Sequence, residues 1–460
     1  MRIKSILLNL PEVMGPTEKR LPFNAKLKWT GIILLLFFIL GLVPLFGLGA
    51  NSLAQFQFLS LILGAEFGSI ISLGIGPIVT ASILLQLLNG SGIVKFDLNT
   101  PDGKKLFQGV QKGLAFAFVV FEAGIYVFAG GLAPAAGYSP FTLIFQLTLG
   151  GIMIIFMDEV VSKWGFGQGV SLFIAAGVSK EIMVRLLSPL SSSGNLAFTS
   201  GEAPIGALLS IFYFLAAGDL REVTSSLAAI FATVFVFVIA VYTQAMKVEV
   251  PLSFGRIRGH GIRWPLAFIY TSNIPVILTA ALLANFQLWA RLLENRGIPI
   301  LGAFGPGGTG VSGLALWLSS PNIIGNLVRG IVAPIDFARA GTYALFLMGG
   351  SVLFSIFWVK TAGMDARSQA KKMMDYGLQI PGFRRDERVL ESLLNRYIPA
   401  LTVMGAIAVG FLAASADVSG ALTSGTGLLL TVMIIYRLYE EIAQQHALDM
   451  NPLLKKFMEK

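Results

Sequence analysis

The sequence predicts an all-α polytopic membrane protein. Of its 460 residues, 55% are hydrophobic and 13% are charged, whereas a soluble domain is about half apolar and about a quarter charged. A bilayer core needs about 20 apolar residues for each helix that crosses it. Runs such as WTGIILLLFFILGLVPLFGLGA and SLAAIFATVFVFVIAVYTQA meet that length, so most of the chain is expected in lipid or inside a helix bundle.

Ten apolar runs qualify as membrane spans. An odd number of spans in the first half reverses the direction of the second, so five plus five predicts two inverted five-helix halves around a central site or pore. The first half covers residues 27–187 and the second covers 222–442, with an external linker at 188–221. The spans are expected at 27–48, 69–89, 108–131, 139–157, 167–187, 222–245, 265–290, 338–360, 397–416 and 423–442.

The distribution of Lys and Arg predicts the orientation of the spans. With both termini in the cytoplasm, 27 of the 34 basic residues lie on the cytoplasmic side and 7 on the other. Lys and Arg tend to stay inside. The sequence therefore predicts a multi-pass protein of the cell (plasma) membrane with cytoplasmic termini, cytoplasmic loops at 246–264 and 361–396, and a cytoplasmic tail at 443–460.

The N-terminal segment 1–26 is expected to be a cytoplasmic amphipathic helix. Its apolar run is short and lacks the small-residue cleavage site of a secretory signal peptide. Apolar residues on one side would let it lie on the membrane surface. These residues are Ile3, Ile6, Leu7 and Leu10.

The stretch GAEFGSIISLGIGPIVT at residues 64–80 is apolar but contains Glu66, Gly74, Gly76 and Pro77. Irregular backbone at membrane depth is tolerated where it is buried in protein or lines a water-filled cavity. Span two is therefore expected to start beside a cavity. A plain kink at Pro77 is the alternative, because Gly and Pro are common in membrane helices.

Branched aliphatic residues follow similar Gly- or Pro-marked entries to spans five, seven and ten. Ile75 and Val79 are four residues apart and share a helix face, and Val170 and Ile174 do likewise. Pairs at this spacing occur throughout membrane bundles. The spacing alone leaves open whether they line a pore or pack in a core.

Glu122 lies near the middle of span three. A carboxylate at that depth is costly and should face the bundle interior with partners, for which Thr80, Gln86 and Asn285 are candidates. The group could serve a proton or ion site, a polar seam between helices, or a structural hydrogen-bond network. Since it is the one convincing midplane carboxylate in the sequence, ion-coupled transport is disfavoured.

Composition and motifs argue against an enzyme. The chain has no Cys and two His, His260 and His446, which excludes disulfides, a cysteine nucleophile and imidazole metal clusters. We find no phosphate loop, zinc-protease helix or nucleophile elbow. Asp158 and Glu159 are expected in an ordinary loop at a span end. No cofactor, metal or catalytic residue is predicted.

Several motifs resemble one family in order along nearly the whole chain. They are LGIGPIVTASILLQLL, FQGVQKGLAF, MDEVVSKWGFGQGVSLFIAAGV, RWPLAFIYTSNIPVIL, IPGFRR and YIPALTVMGAIAVGFLA. This pattern resembles the SecY family, the channel subunit of the Sec protein-conducting translocon, and is similar to its archaeal branch. The resemblance implies a channel that passes secretory polypeptides across the membrane and releases transmembrane segments laterally into it.

The resemblance also implies specific site residues. In the family, an aliphatic ring closes the waist of an hourglass pore, and a short helix plugs the external funnel. A lateral gate opens between two pairs of helices, with spans two and three on one side and spans seven and eight on the other. The implied pore ring is Ile75, Val79, Val170, Ile174, Ile277 and Leu430. The implied plug is 52–66, with Ser52, Leu59, Leu63 and Glu66, and the implied gate cluster is Thr80, Glu122 and Asn285.

The two long basic loops carry either an orientation signal alone or a docking surface for a phosphate backbone. The resemblance favours docking of the ribosome, and in bacteria of a motor ATPase, at Arg256, Arg258, Arg384 and Arg385. It further implies a SecE-type subunit, a small beta subunit, signal sequences, nascent polypeptides and membrane lipid as partners. The alternatives are an inverted-repeat secondary transporter and an insertion scaffold without a pore.

Overall fold

A computed structural model describes residues 10–17, 21–51, 53, 64–90, 93–94, 96, 100–191, 195–197, 201–254, 261–271, 274–305, 310–375, 378–379 and 386–450. The helices are α1 (Phe23–Leu42), α2 (Gly76–Gly90), α3 (Pro101–Phe128), α4 (Pro140–Trp164), α5 (Gly169–Leu187), α6 (Ala207–Ala217), α7 (Leu220–Ala245), α8 (Ile274–Asn295), α9 (Gly313–Trp317), α10 (Ile323–Arg329), α11 (Pro334–Thr361), α12 (Ala366–Asp375), α13 (Glu387–Ser419) and α14 (Gly425–Met450). The strands are β1 (Leu48–Asn51), β2 (Leu132–Pro134), β3 (Lys247–Phe254), β4 (Gly261–Ala267) and β5 (Leu378–Gln379).

Each of the ten predicted spans overlaps a helix of the bundle. Within the described residues, seven helices are long and apolar enough to cross a bilayer: α1, α3, α4, α7, α8, α11 and α13. The other three predicted spans fall on α2, which has 15 residues, and on α5 and α14, where every 18-residue stretch contains three or more charged side chains. The prediction of a mostly helical, polytopic membrane protein is confirmed.

The periphery of the bundle is apolar. Large hydrophobic side chains that point away from the protein are common on α1, α4, α7, α11 and α13, where lipid would cover them. Examples are Leu35, Phe145, Phe231, Leu345 and Phe411.

The main apolar core joins the two halves of the chain. It includes buried residues of α1, α4 and α5 from the first half and of α8, α11, α13 and α14 from the second. Helix α5 packs on α14, and α2 packs on α8 and α11. The halves therefore meet along α2, α5, α8, α11 and α14.

Two helix starts differ from the sequence expectation. Span two was expected from residue 69, but residues 67–75 form turns and α2 begins at Gly76. Gly74 has a φ of +52°, which favours glycine, and Pro77 occupies the second helical position, where a missing N–H costs nothing. Span seven was expected from residue 265, but the chain is in β4 as far as residue 267 and α8 begins at Ile274.

The connecting segments contain more regular structure than predicted. Strands β3 and β4 form an antiparallel hairpin, with Val250 opposite Trp264, inside the segment expected to be a loop at 246–264. Strand β5 pairs with β3, with Ser253 opposite Gln379, so the two basic loops share one sheet. Helix α12 also lies in the second loop, and α6 lies in the external linker.

Residues 10–17 are not helical and lie along the end of α4. The Val13 N–H donates to Glu159 Oε2 at 2.9 Å, and Lys163 Nζ donates to the Val13 carbonyl at 2.6 Å. Lys163 also pairs with Glu12, and this hydrogen bond lowers the pKa of Glu12. The predicted amphipathic helix thus does not include Leu10, and Ile3, Ile6 and Leu7 lie outside the described residues.

The acidic pair at the end of span four was expected in a loop. Asp158 and Glu159 instead belong to the last turns of α4. Glu159 pairs with Lys112 of α3, and Asp158 accepts a hydrogen bond from the first turn of α5. Both carboxylates are therefore part of the packing between helices.

Candidate pore and lateral gate

The six predicted pore-ring residues lie in the same apolar core. Ile75, Ile174 and Leu430 are fully buried. Val79 and Ile277 are also buried, and Val170 packs against this core as a half-buried side chain. The residues come from both halves of the chain and from four different segments, so the fold brings them together from distant parts of the sequence.

Two cavities lie toward opposite ends of α5. One, of about 300 Å³, is on the terminal face, which we define as the side where α1 begins and α14 ends; Ser171 and Leu172 line it. The other, of about 800 Å³, is on the opposite face and is lined by Gly177 and Lys180. Buried Ile174 lies between them. At 1.5 Å per helical residue, about 7.5 Å of α5 separates Leu172 from Gly177.

Helix α14 repeats this arrangement in the second half of the chain. Ile434 and Arg437 line the terminal-face cavity, and Leu422, just before α14, lines the opposite cavity. Leu430 lies between them and is fully buried. Ile174 and Leu430 therefore lie in an apolar layer between the two cavities. We call the six predicted ring residues the collar.

The walls of both cavities carry ionisable side chains. Lys26, Arg437 and Glu441 contribute to the terminal-face cavity. The opposite cavity is bordered by Glu66, Lys180, Glu181, Arg185, Glu222 and Arg329. Such walls hold water, whereas the collar between them offers aliphatic side chains alone.

The predicted plug falls mainly on residues that the structure does not describe. Ser52, Leu59 and Leu63 lie outside the described residues. Glu66 is described, borders the opposite cavity and forms an ion pair with Lys180 of α5. Glu66 therefore faces a cavity with polar walls.

The predicted lateral gate corresponds to the contact of α2 with α8 and α11. Thr80 Oγ1 donates to Glu122 Oε1 at 3.1 Å, so the predicted partnership of these two residues is present. Both belong to the first half, so this hydrogen bond lies within one side of the predicted gate and does not cross it.

The other candidate partners of Glu122 are placed differently. Asn285 and Gln86 are half-buried on α8 and α2, but in the part of the chain that the structure describes neither amide is hydrogen-bonded to Glu122. A second link between α2 and α3 escaped the sequence reasoning: Gln111 Nε2 donates to Ser82 Oγ at 2.6 Å. A pair of amide and hydroxyl groups 29 residues apart has no distinctive sequence pattern.

The four predicted docking residues, Arg256, Arg258, Arg384 and Arg385, lie outside the described residues. Their loops are nevertheless tied together, since β5, which precedes Arg384 and Arg385, pairs with β3, which precedes Arg256 and Arg258. This sheet lies on the terminal face, where Lys247 at its base pairs with Glu440 of α14 at 3.6 Å.

Comparison with known proteins decides among the sequence alternatives. A family model described as SecY matches residues 69–439. The chain belongs to the SecY family. It is 48% identical over 453 residues to the protein translocase subunit SecY of Methanothermobacter thermautotrophicus, with 98% of this chain and 96% of that relative covered.

Two solved structures match this fold over nearly the whole chain. A protein conducting channel is 42% identical to the chain, with a TM-score of 0.82 and coverage of 97% of this chain and 98% of that one. Sec61 in the canine ribosome-channel complex is 41% identical, with a TM-score of 0.80 and the same coverage. The chain is thus a protein translocase subunit with a channel fold, and the secondary-transporter alternative is not supported.

Proposed function

We propose that the chain is the central, pore-forming subunit of a passive channel in which the collar is the resting seal. The observation that carries this proposal is the placement of six aliphatic residues from both halves in one core, with cavities on either side. A narrow aliphatic constriction excludes hydrated ions by dewetting. Aliphatic side chains also make no sequence-specific hydrogen bonds, so polypeptides of any sequence could slide through.

Lateral release would take place where α2 and α3 face α8 and α11. A signal sequence or transmembrane segment is an apolar helix that gains free energy by entering lipid. Its insertion between α2 and α8 would replace the contact that now closes this wall. Thr80 and Glu122 would brace one wall, and Asn285 would face it from the other.

The orientation and the plug follow from the same proposal. The terminal face would be cytoplasmic because most Lys and Arg residues lie on that side, and the membrane would be the cell membrane. Residues 52–66 would plug the opposite cavity. Glu66, at their end, forms an ion pair with Lys180 of α5, which would help to hold the plug in place.

Partner proteins would hold the two halves together and would drive the polypeptide through the channel. The solved relative bound to a ribosome and the shared sheet beneath the two basic loops support ribosome docking at Arg256, Arg258, Arg384 and Arg385. By family, a SecE-type subunit would clamp the halves and a small beta subunit would join them. We infer that the chain itself has no catalytic centre and no cofactor, and that the ribosome or a motor ATPase does the work.

The seal can be tested by resting ion leak. The full chain, purified with its membrane subunits and reconstituted in vesicles, should hold a potassium gradient. Leu430→Ser and Ile174→Ser place hydroxyls in the collar and should raise the leak about tenfold or more, because a polar ring stays wet. Leu345→Ser and Ile356→Ser are matched controls, since both side chains are exposed on α11, and should leave the leak unchanged.

The same vesicles distinguish the alternatives. An unchanged leak in both collar variants would refute the seal. Saturable, substrate-dependent uptake by the unmodified chain would instead favour a transporter. Movement of a signal-bearing polypeptide into the vesicles without such uptake would support the channel.

A further inference from the structure

We call α5 and α14, which carry Ile174 and Leu430, the collar helices. In both, a backbone N–H of the first turn donates a hydrogen bond to an aspartate of the preceding helix. In the first half, the Val170 N–H donates to Asp158 Oδ1 of α4 at 2.8 Å. In the second half, the Gly425 N–H donates to Asp417 Oδ1 of α13 at 2.6 Å. Each carboxylate thus accepts a hydrogen bond from a backbone N–H that has no partner within its own helix.

A glycine allows close contact at both places. A Cβ on Gly169 would lie 2.5 Å from Asp158 Cα, and a Cβ on Gly425 would lie 2.1 Å from the Ala413 carbonyl oxygen. Neither position could hold a side chain without moving backbone. The first turn of each collar helix is therefore pressed against the helix that supplies its aspartate.

The local capping residues do not make these contacts redundant. Gln168, at the N-cap position of α5, makes no side-chain capping hydrogen bond, so Asp158 supplies this interaction from α4. Ser424 precedes α14 and accepts from the Gly427 N–H at 3.2 Å, which leaves the Gly425 N–H to Asp417. Both aspartates tie one helix to another rather than cap their own.

The glycine that makes the close contact is equally far from the collar in the two halves. Ile174 is five residues after Gly169, and Leu430 is five residues after Gly425. Each collar side chain therefore lies about 7.5 Å along its helix from that glycine, and Ile174 lies about 6 Å from Val170, whose N–H makes the tether. Because α5 starts near the terminal face and α14 near the opposite face, the two tethers hold their helices from opposite sides.

We propose that Asp158 and Asp417 are positioning residues of the collar, which fix the axial positions of Ile174 and Leu430. This inference rests on the proposed function of the collar as a seal. The layer on α5 is about 7.5 Å thick, so an axial shift of one helical turn, about 5.4 Å, would carry Ile174 out of it. Two tethers acting from opposite faces prevent both helices from shifting together.

The tether of the second half is also connected to the gate. Tyr343 of α11 donates its hydroxyl to Asp417 Oδ2 at 2.7 Å, and both α11 and α14 contribute to the main core. Asp417 thereby joins a gate helix to the first turn of a collar helix. A movement of α11 on lateral opening would pull on the tether of Leu430, whereas Asp158 is linked to no gate helix among the described contacts.

Resting ion leak of the reconstituted complex tests the inference. Asp158→Ala and Asp417→Ala should each raise the leak about fivefold, the change in population that loss of one capping hydrogen bond produces. The asparagine variants keep an acceptor oxygen and should restore most of the seal. Tyr343→Phe should give a smaller increase, since the tether itself remains.

Asp219→Ala is the matched control. Asp219 caps α7 by accepting from the Arg221 N–H at 3.2 Å, and α7 carries no collar residue. A merely structural role for the aspartates predicts equal leaks from the control and the tether variants, and that result would overturn the inference. It would also be overturned if the asparagine variants leaked as much as the alanine variants.

The outcome is separable from that of the seal itself. If Leu430→Ser leaks and Asp417→Ala does not, the collar stands and the positioning role is wrong. If neither leaks, the seal is wrong. If an alanine variant fails to assemble with its membrane subunits, Asp158→Glu and Asp417→Glu test the inference instead. Each keeps the acceptor oxygen but moves it by one methylene, so its leak should be about two- to threefold above that of the unmodified complex.

Discussion

The two halves of the chain start their gate helices in the same way but connect them to different faces. Helix α2 begins at Gly76, with Pro77 second and Val79 fourth, and α8 begins at Ile274, with Pro275 second and Ile277 fourth. Proline pre-organises a first helical turn and cannot continue a helix backwards. The same device therefore places one collar residue in each half.

The segments that precede these helices differ. Before α2, residues 64–75 form turns inside the bundle, where Ile71 and Leu73 are fully buried. Before α8, the chain forms the β3–β4 hairpin outside the bundle on the terminal face. The first half is thus tied to the opposite cavity and the proposed plug, and the second half is tied to the proposed docking surface. The Pro-containing first turns of α2 and α8 place the collar residues of the proposed seal. The segments before them determine whether the plug or the docked ribosome can act on that seal.

The largest effect is expected at the docking surface of the second half. Arg384→Glu with Arg385→Glu should weaken ribosome binding about tenfold or more, because two cations that release counterions from RNA are replaced by anions. The loss should appear most clearly as a reduced dependence of binding on salt, measured by co-sedimentation between low and raised salt.

A double variant on the other face controls for net charge. Arg221→Glu with Arg296→Glu changes the charge equally on exposed residues near the opposite face and should leave ribosome binding unchanged. If binding responds equally to both double variants, or to neither, then the second half is not the docking half and the comparison fails.

The second effect concerns the gate helices themselves. Asn285 is the twelfth residue of α8, and the twelfth residue of α2 is Leu87. Asn285→Leu makes the second half resemble the first and removes a half-buried amide that has no hydrogen-bond partner among the described residues. The closed contact should become more favourable by about 1 kcal/mol, or about fivefold.

The measurement is translocation across a series of signals of graded hydrophobicity. We expect the weakest signals to be translocated about fivefold less well by Asn285→Leu, with strong signals unaffected. Gln287→Leu, which removes a half-buried amide that makes a long 3.4 Å contact with the Leu318 carbonyl, is the control on the same helix. If translocation by Asn285→Leu depends on signal hydrophobicity as it does in the unmodified chain, then Asn285 does not contribute to the gate.

The comparison of halves also shows what the sequence can predict. The polytopic helical architecture was predictable because apolar length is a strong local pattern, and the Thr80 partner of Glu122 followed from the cost of an unpaired carboxylate in a membrane. The collar residues came from a family resemblance. Their spacing alone is that of any packed helix.

Contacts between distant segments were not predictable. The β3–β4 hairpin is not predicted from the sequence because Pro251 and Pro265 interrupt its strands, and proline is unusual within a strand. Asp158 was assigned to an ordinary loop and Asp417 was not singled out, since each caps a different helix and not its own. A pairing that forms only after two helices pack has no local sequence pattern.

The smallest effect concerns the ion pair that ties the first half to the proposed plug. Lys180 is the twelfth residue of α5, whereas the twelfth residue of α14 is the uncharged Tyr436, so this contact has no counterpart in the second half. The two side chains are 44% and 43% exposed, and such pairs contribute less than about 1 kcal/mol. Lys180→Glu should therefore raise the resting leak about two- to threefold, and less at high salt because screening weakens the native pair.

Adding Glu66→Lys to this variant recreates the pair with reversed polarity and should return the leak to its original level. Equal leaks from the single and the double variant would show that α5 holds the end of the proposed plug by packing and not by charge, and the first half would then lose its distinguishing contact.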